Sequence, residues 1–357
     1  MSKNLRYAVV GAGNGGQSMA GDLVLRGFNV VGIYDPFPEA IEYVQRQGGI
    51  RMIGDLREGF AEISRVSTNV EDIVLDADII MVVVPAYAHE FMANALAPVV
   101  KSHQIIVLNP GCIGGTMVFR SILQSRGAEC PILAETNILL YATRIVGPGV
   151  VGIQDIKRWL GVAALPASDT PKVVEALKPA FSQIEPMDNV LETGLNNTNP
   201  MTHVATTILN WGRTKSEGQA ANFEFSEWVT EPVKPIVKKV DHERMAVIEA
   251  LGIRGITNEE FFEISYGGKK RDVVQRVGEV LPSSTIVPDR YITEDVPMGL
   301  VPIASLADAL EVKTPLTKIL IDFACVIKDT DYWTEGRTLD KLGLQGLDAA
   351  GIRDAVQ

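Results

Sequence analysis

Apolar and polar positions follow two rhythms along this chain, and the change from one to the other divides it. The first rhythm is a series of short apolar runs, several of them ended by Gly or Pro: Leu5 to Val10, Asn29 to Tyr34, Ala77 to Pro85 and Gln104 to Gly111. Continuous runs of this kind predict parallel strands covered on both faces. Helix-compatible stretches stand between them, over Gln17 to Arg26, Ala86 to Val99 and Thr116 to Ser125, and supply the right-handed crossovers such a sheet needs. Pro131 to Glu135, Thr143 to Ile153 and Trp159 to Pro166 read as further strands of the same sheet, followed by a helix across Pro171 to Ser182. Past residue 190 β-branched runs thin out and a helical period takes over, as in Pro200 to Trp211, His242 to Leu251, Ala304 to Ala309 and Leu316 to Ile327. Gly218 to Asp241, rich in Glu, Phe and Pro, holds neither period and is expected as a loop over a cleft or a packed connector.

The first strand runs into Gly11-Ala12-Gly13-Asn14-Gly15-Gly16, and Asp35 ends the second strand 19 residues after Gly16. Strand, glycine turn, helix, strand and acidic residue together form a dinucleotide-binding unit. Gly11 permits the tight turn, Gly13 lets backbone approach a pyrophosphate, and Gly16 allows the helix to pack close to the strand. The helix N-terminus offers free amides to the phosphates. Asp35 would accept hydrogen bonds from the adenosine ribose and repel a 2′-phosphate, which favours NAD(H). In an open sheet the ligand sits beyond the strand C-termini. Pro85 and Asn109 are therefore counted with Gly11, Gly13, Asn14, Gly15, Gly16 and Asp35 as cofactor-facing residues, and so is Glu135 at the end of its strand. The fold class is α/β, a Rossmann-type doubly wound sheet domain over residues 1–190 followed by a mostly helical domain over residues 191–357.

Charge narrows the partners. A net charge of −11 without a dense Lys/Arg run argues against nucleic acid or an anionic membrane surface, and an anionic substrate would need local arginines. The apolar run at the N-terminus is too short for a signal peptide, and no stretch approaches a membrane span. Cys112, Cys130 and Cys325 are odd in number and lack the spacing of a metal knuckle or redox pair, so they read as small buried hydrophobes in a reducing cytoplasm.

A hydride-transfer site needs a proton donor near the reacting carbon and positive groups for carboxylates. Among the four histidines, His203 stands out because it follows Asn199 by four residues at a helix start. Pro200 suits the first helical position and Asn199 the N-cap, and both side chains of the pair would share one face. Spacing alone leaves open that Asn199 only caps the helix and that His203 is a hydrogen-bonded core residue.

Asn199-x-x-x-His203, the run Arg290-Tyr291-Ile292-Thr293-Glu294-Asp295-Val296-Pro297-Met298-Gly299-Leu300-Val301-Pro302 and the ending Glu335-Gly336-Arg337-Thr338-Leu339-Asp340-Lys341-Leu342-Gly343-Leu344 resemble the NAD-dependent opine dehydrogenase family. The likeness covers essentially the whole chain, including Val84-Pro85-Ala86, Asn109-Pro110-Gly111 and Gly346 to Arg353, and is weakest over Phe223 to Ser284. It implies His203 as catalytic acid-base, Asp295 as its partner and Asn199 as the nearby asparagine. It also implies Arg290 as the holder of a substrate carboxylate and Arg144 as a second arginine near the cofactor. A carboxylate such as Asp295 would orient the imidazole and stabilise imidazolium, while the helix N-terminus opposes that charge. Without the resemblance, Arg290 would read as a surface ion pair with Asp289 or Glu294. The family commonly carries proline after the histidine, and this chain has Val204.

The expected reaction is NADH-dependent condensation of an amino acid with a 2-oxo acid such as pyruvate, through an imine, in a homodimer. Two other readings are kept. A 2-hydroxyacid or sugar-phosphate dehydrogenase would use the oxo acid without an amine. An NAD(H)-sensing protein would bind without turnover, though no basic patch supports one.

Overall fold

The apolar runs of the first half pair side by side, each buried on both faces. A computed structural model describes residues 5–216, 225–267 and 289–357. Its strands are β1 Arg6–Val10, β2 Asn29–Tyr34, β3 Gly49–Ile53, β4 Gly59–Glu62, β5 Val66–Ser67, β6 Ile79–Val82, β7 Ile105–Leu108, β8 Ile132–Thr136, β9 Tyr141–Gly147, β10 Val150–Ile156, β11 Leu160–Leu165 and β12 Ile184–Pro186. The main sheet has eight strands in the order β12-β11-β8-β7-β6-β1-β2-β5. All its neighbours run parallel except β11 against β8. Helices α1 Asn14–Leu25, α2 Pro38–Gln47, α3 Glu71–Val74, α4 His89–Leu96, α5 Gly115–Ser125 and α6 Thr170–Leu177 connect them. Separate apolar cores fill the two faces of the sheet, one around Tyr7, Met19, Ile33 and Val107 and the other around Ala8, Ile80, Leu96 and Phe119.

One strand assignment needs correction. The stretch Thr143 to Ile153 is not part of the main sheet. It forms the β9-β10 hairpin of a second sheet, ordered β4-β3-β10-β9, in which β3 pairs parallel to β10 and antiparallel to β4. Tyr141 and Thr143 of β9 are buried against α1: the Tyr141 hydroxyl donates to Asp22 at 2.9 Å, and Thr143 shares a hydrogen bond with Ser18. The second sheet thus braces the helix that carries the glycine turn.

After β12, every described element is helical. Helices α7 Val190–Leu195 and α8 Asn199–Leu209 lead the set, and the later helices include Lys234–Leu251, Asn258–Tyr266, Arg290–Thr293, Val301–Ala309 and Pro315–Lys328. Helix Lys234–Leu251 occupies part of the stretch expected to lack regular structure, as does the short helix Phe225–Trp228. Residues 218–224 of that stretch lie outside the described residues, as do residues 268–288, which hold part of the region of weakest resemblance. The core of the helical part also takes in Ile113, Met117, Ala163 and Leu165 from the sheet part. The two halves are joined by shared packing.

Candidate active site

Backbone alone shapes one wall of the cleft. Gly11 has φ +105, and a Cβ there would fall 2.5 Å from the Val83 carbonyl oxygen. A Cβ on Gly16 would fall 1.8 Å from the Gly11 oxygen, and one on Gly15 would press Val83 and Leu139. Gly13 differs, because no atom of the chain lies within 4 Å of where its Cβ would stand. It is the N-cap of α1 and brings no side-chain cap, so the first-turn amides have no side-chain cap there to accept from them. That is the opening a dinucleotide pyrophosphate requires, and the residues fit such a cofactor.

The other residues expected on this wall divide. Asp35 closes the glycine turn, accepting from the Ala12 amide at 2.8 Å and the Phe37 amide at 3.1 Å. Each carboxylate oxygen keeps lone-pair capacity for a ribose hydroxyl. The side chain of Asn14 accepts from the Ile145 amide at 2.7 Å and so ties α1 to β9. Pro85 stands at the rim, at the start of the single turn Ala86–Ala88. Asn109 is buried and donates to Thr136 Oγ1 at 2.6 Å, so it fixes the floor.

Glu135 is a correction. It is fully buried, which removes it from any surface a dinucleotide could touch. Its carboxylate accepts from the Thr116 amide and hydroxyl at 3.0 and 2.8 Å and from the hydroxyl of Thr193, on α7, at 2.8 Å. Desolvation raises its carboxyl to about 7, against the hydrogen bonds from Thr116 and Thr193 and the charge of Arg337.

Side chains build the second part of the candidate site. His203, on α8, places Nδ1 2.8 Å from Asp295 Oδ2. Because a carboxylate only accepts, Nδ1 carries the hydrogen and Nε2 is left as the exchanging edge. The imidazole stacks on Tyr291, centroids 3.9 Å apart and planes 20° apart, and Phe225 meets it edge-on at 5.3 Å. Two rings and a carboxylate therefore hold this histidine. The cap assignment shifts by one residue: Thr198 is the N-cap and Asn199 is the first helical residue. The Asn197 side chain takes the Asn199 amide at 3.2 Å, which lets the helix start early. The Asn199 side chain makes no hydrogen bond among the described residues and stays available one turn from His203.

The arginines converge on the same place. Arg290 lies 5.8 Å above the Tyr291 ring and 3.5 Å from Glu294 Oε2, so the ion pair read from sequence does form, with the guanidinium still 46% exposed. Arg144 reaches from β9, donates to the Thr143 carbonyl at 2.9 Å and has no carboxylate partner among the described residues. The charges of both arginines act on the Tyr291 phenol.

Two buried residues make contacts that sequence reasoning did not foresee, since it offered Glu294 only as an ion-pair partner of Arg290 and gave Arg337 no role. Glu294 accepts from the Ala86 amide at 2.9 Å, and burial, reinforced by Asp295, raises its carboxyl. Arg337 is buried and donates to the carbonyls of Gly111, Ile113 and Ala86 and to His89 Nδ1, at 2.9 to 3.3 Å. Burial, with the Arg337 charge, pushes His89 well below the usual histidine range. Both residues stand in quoted motifs, yet nothing local in the sequence says which carbonyls or amides they reach.

Known proteins resemble this chain over its full length. The chain is 36% identical over 362 residues, all of both chains, to an opine dehydrogenase of Arthrobacter sp. (strain 1C). The chain belongs to the opine dehydrogenase family. It is an NAD-dependent oxidoreductase. Residues 186–328 match the family described as NAD/NADP octopine/nopaline dehydrogenase, alpha-helical domain, and residues 6–109 match NADP oxidoreductase coenzyme F420-dependent. Vitopine synthase of Allorhizobium ampelinum is 26% identical, over 98% of this opine dehydrogenase and 99% of the relative. A solved octopine dehydrogenase with NADH and L-arginine superposes with a TM-score of 0.74 at 19% identity, covering 98% of each chain, and shares the fold.

Proposed function

We propose that this opine dehydrogenase joins the amino group of an amino acid to a 2-oxo acid, pyruvate foremost, giving an N-(carboxyalkyl) amino acid. The observation that carries the roles is the His203–Asp295 contact at 2.8 Å, beside a Tyr291 ring on which the charges of both Arg290 and Arg144 act. The amine and the oxo acid lose water to form an imine. NADH, bound with its pyrophosphate at the α1 N-terminus, supplies the hydride that reduces the C=N carbon.

The chain's own residues handle protons and charge. Protonated His203 donates from Nε2 to the departing oxygen, and Asp295 stabilises the imidazolium through Nδ1. Arg290 takes one substrate carboxylate and Arg144 the other, because only arginines offset two anionic groups in a chain of charge −11. The Asn199 amide hydrogen-bonds the substrate beside His203. We divide the enzyme near residue 190, with the dinucleotide on 1–190 and the substrate contacts on 191–357.

NADH oxidation with pyruvate and a panel of amino acids, with products identified by mass, tests this. His203→Ala should lower kcat by about 10²- to 10⁴-fold with NADH affinity unchanged; equal rates would remove His203 from the chemistry. Oxidation by the oxo acid without any amine would select a 2-hydroxyacid dehydrogenase, and NADH binding with no oxidation at all would select a sensor. We also propose a cytoplasmic homodimer. Ile319, Phe323 and Val326 support it, being spaced along one helix and 48%, 55% and 83% exposed. Sedimentation showing only monomer would reject it.

A further inference from the structure

Away from the cleft, the C-terminal end of α1 borders a second concavity of about 360 Å³, lined by Asp22, Arg26, Arg57, Ile156, Lys157, Arg158, Ser182 and Gln183. The glycine turn is at the other end of the same 12-residue helix, about 18 Å away at 1.5 Å per residue.

The charges lining this cavity do not balance. Asp22 is its only carboxylate, and Arg26, Arg57 and the Tyr141 hydroxyl already engage it. Lys157 and Arg158 remain. Lys157 is buried, donates to the Leu139 carbonyl at 2.7 Å and lies 5.5 Å from the Tyr266 ring centroid. It has no carboxylate partner among the described residues. Desolvation, with Arg290 adding to it, pushes this lysine down to about 7, which is the mark of a buried ammonium without a counter-ion. Arg158 is exposed, and its guanidinium abuts Gly267 at the end of helix Asn258–Tyr266. The carbonyls of that helix end attract it but cannot neutralise it. With Arg26 and Arg57 paired to Asp22, Lys157 and Arg158 are the basic groups without a carboxylate partner among the described residues, in a concavity of a protein with net charge −11, and an anion there would meet a locally positive lining. Ser182 and Gln183 add neutral donors.

We propose that this cavity binds a small, multiply charged anion, phosphate-bearing or polycarboxylic, at a site separate from the catalytic cleft. Its volume suits one such molecule, and the anion would complete the hydrogen bonding of the Lys157 ammonium. Leu139 connects this site to the other, because its carbonyl accepts the Lys157 hydrogen bond while its side chain borders Gly15.

Calorimetric titration of the full chain, saturated with NADH and held at constant ionic strength, tests the site with pyrophosphate and with citrate as probes. One saturable equivalent is expected for at least one probe, and the tighter of the two identifies the anion class. Lys157→Met and Arg158→Glu should each weaken it by about tenfold or more, while Arg158→Glu keeps turnover within about twofold. No saturable heat from either probe up to about 10 mM, which corresponds to less than about 3 kcal/mol of binding, would overturn the proposal. So would equal affinities in both variants, or loss of the anion on NADH saturation, which would place it at the glycine turn.

Discussion

On the sheet side of the cleft the chain uses backbone, and on the helical side it uses side chains. Gly11, Gly13 and Gly16 act by what they lack: two of them admit neighbouring backbone, and the third keeps a space empty. His203, Asp295, Tyr291 and Arg290 act by what they bring, and the first three depend on partners from elsewhere in the chain. A wall of the first kind tolerates no added atom. A wall of the second kind tolerates any change that keeps its partners in place. In the proposed reaction the same division separates the dinucleotide site from the proton donor.

The His203→Ala loss is the largest effect expected, and it falls on the side-chain wall. On the backbone wall, Gly16→Ala forces its Cβ against the Gly11 oxygen and should cost about 3 kcal/mol of stability by overpacking, read by denaturant unfolding. Gly13→Ala meets no atom of the chain, so stability should hold while NADH affinity falls by about tenfold as the methyl group occupies the pyrophosphate's space. If both substitutions affected stability alike, the contrast between the two glycines would fail.

Glu135 joins the walls and gives a pH test. Its carboxyl stands at about 7 in the fold against an ordinary 4.5, so between these values the native state holds a proton that the unfolded chain has released. Its contribution is full below pH 4.5 and is lost as pH rises toward 7, amounting to about 3 kcal/mol. Glu135→Gln keeps the shape and should flatten that fall in stability; an unchanged pH profile would assign the fall to other groups. The smallest effect belongs to Tyr291. Tyr291→Phe preserves the stack and should leave kcat within about twofold, whereas Tyr291→Leu should cost about tenfold through a less well-held imidazole.

These contrasts explain what could be read from the sequence. Runs such as Ala77 to Pro85 announce strands because both faces are buried and no polar position interrupts them. The glycine turn is legible because its geometry is local. The second sheet is not, since β3 and β4 are short and carry exposed Arg51 and Phe60, and β3 meets β10 about a hundred residues later in the chain. The His203–Asp295 pair spans 92 residues, and no periodicity predicts such a contact, so family resemblance alone pointed to it. Glu135 misled for a related reason: its position at a strand end is correct, but α7 closes over it, and that closure is tertiary.

Glu294 stands one helical turn from Arg290. One of its oxygens is tied to the Ala86 amide, and the other stops 3.5 Å short of the guanidinium. A tethered counter-charge of this kind lowers the standing cost of keeping an arginine in the cleft, yet it cannot close in and use up the donors. The arginine therefore waits half-compensated. A stray chloride gains little by displacing so near a carboxylate, whereas a planar carboxylate that fills the fork gains two aligned hydrogen bonds at once. An arginine held in this way discriminates among anions by their shape.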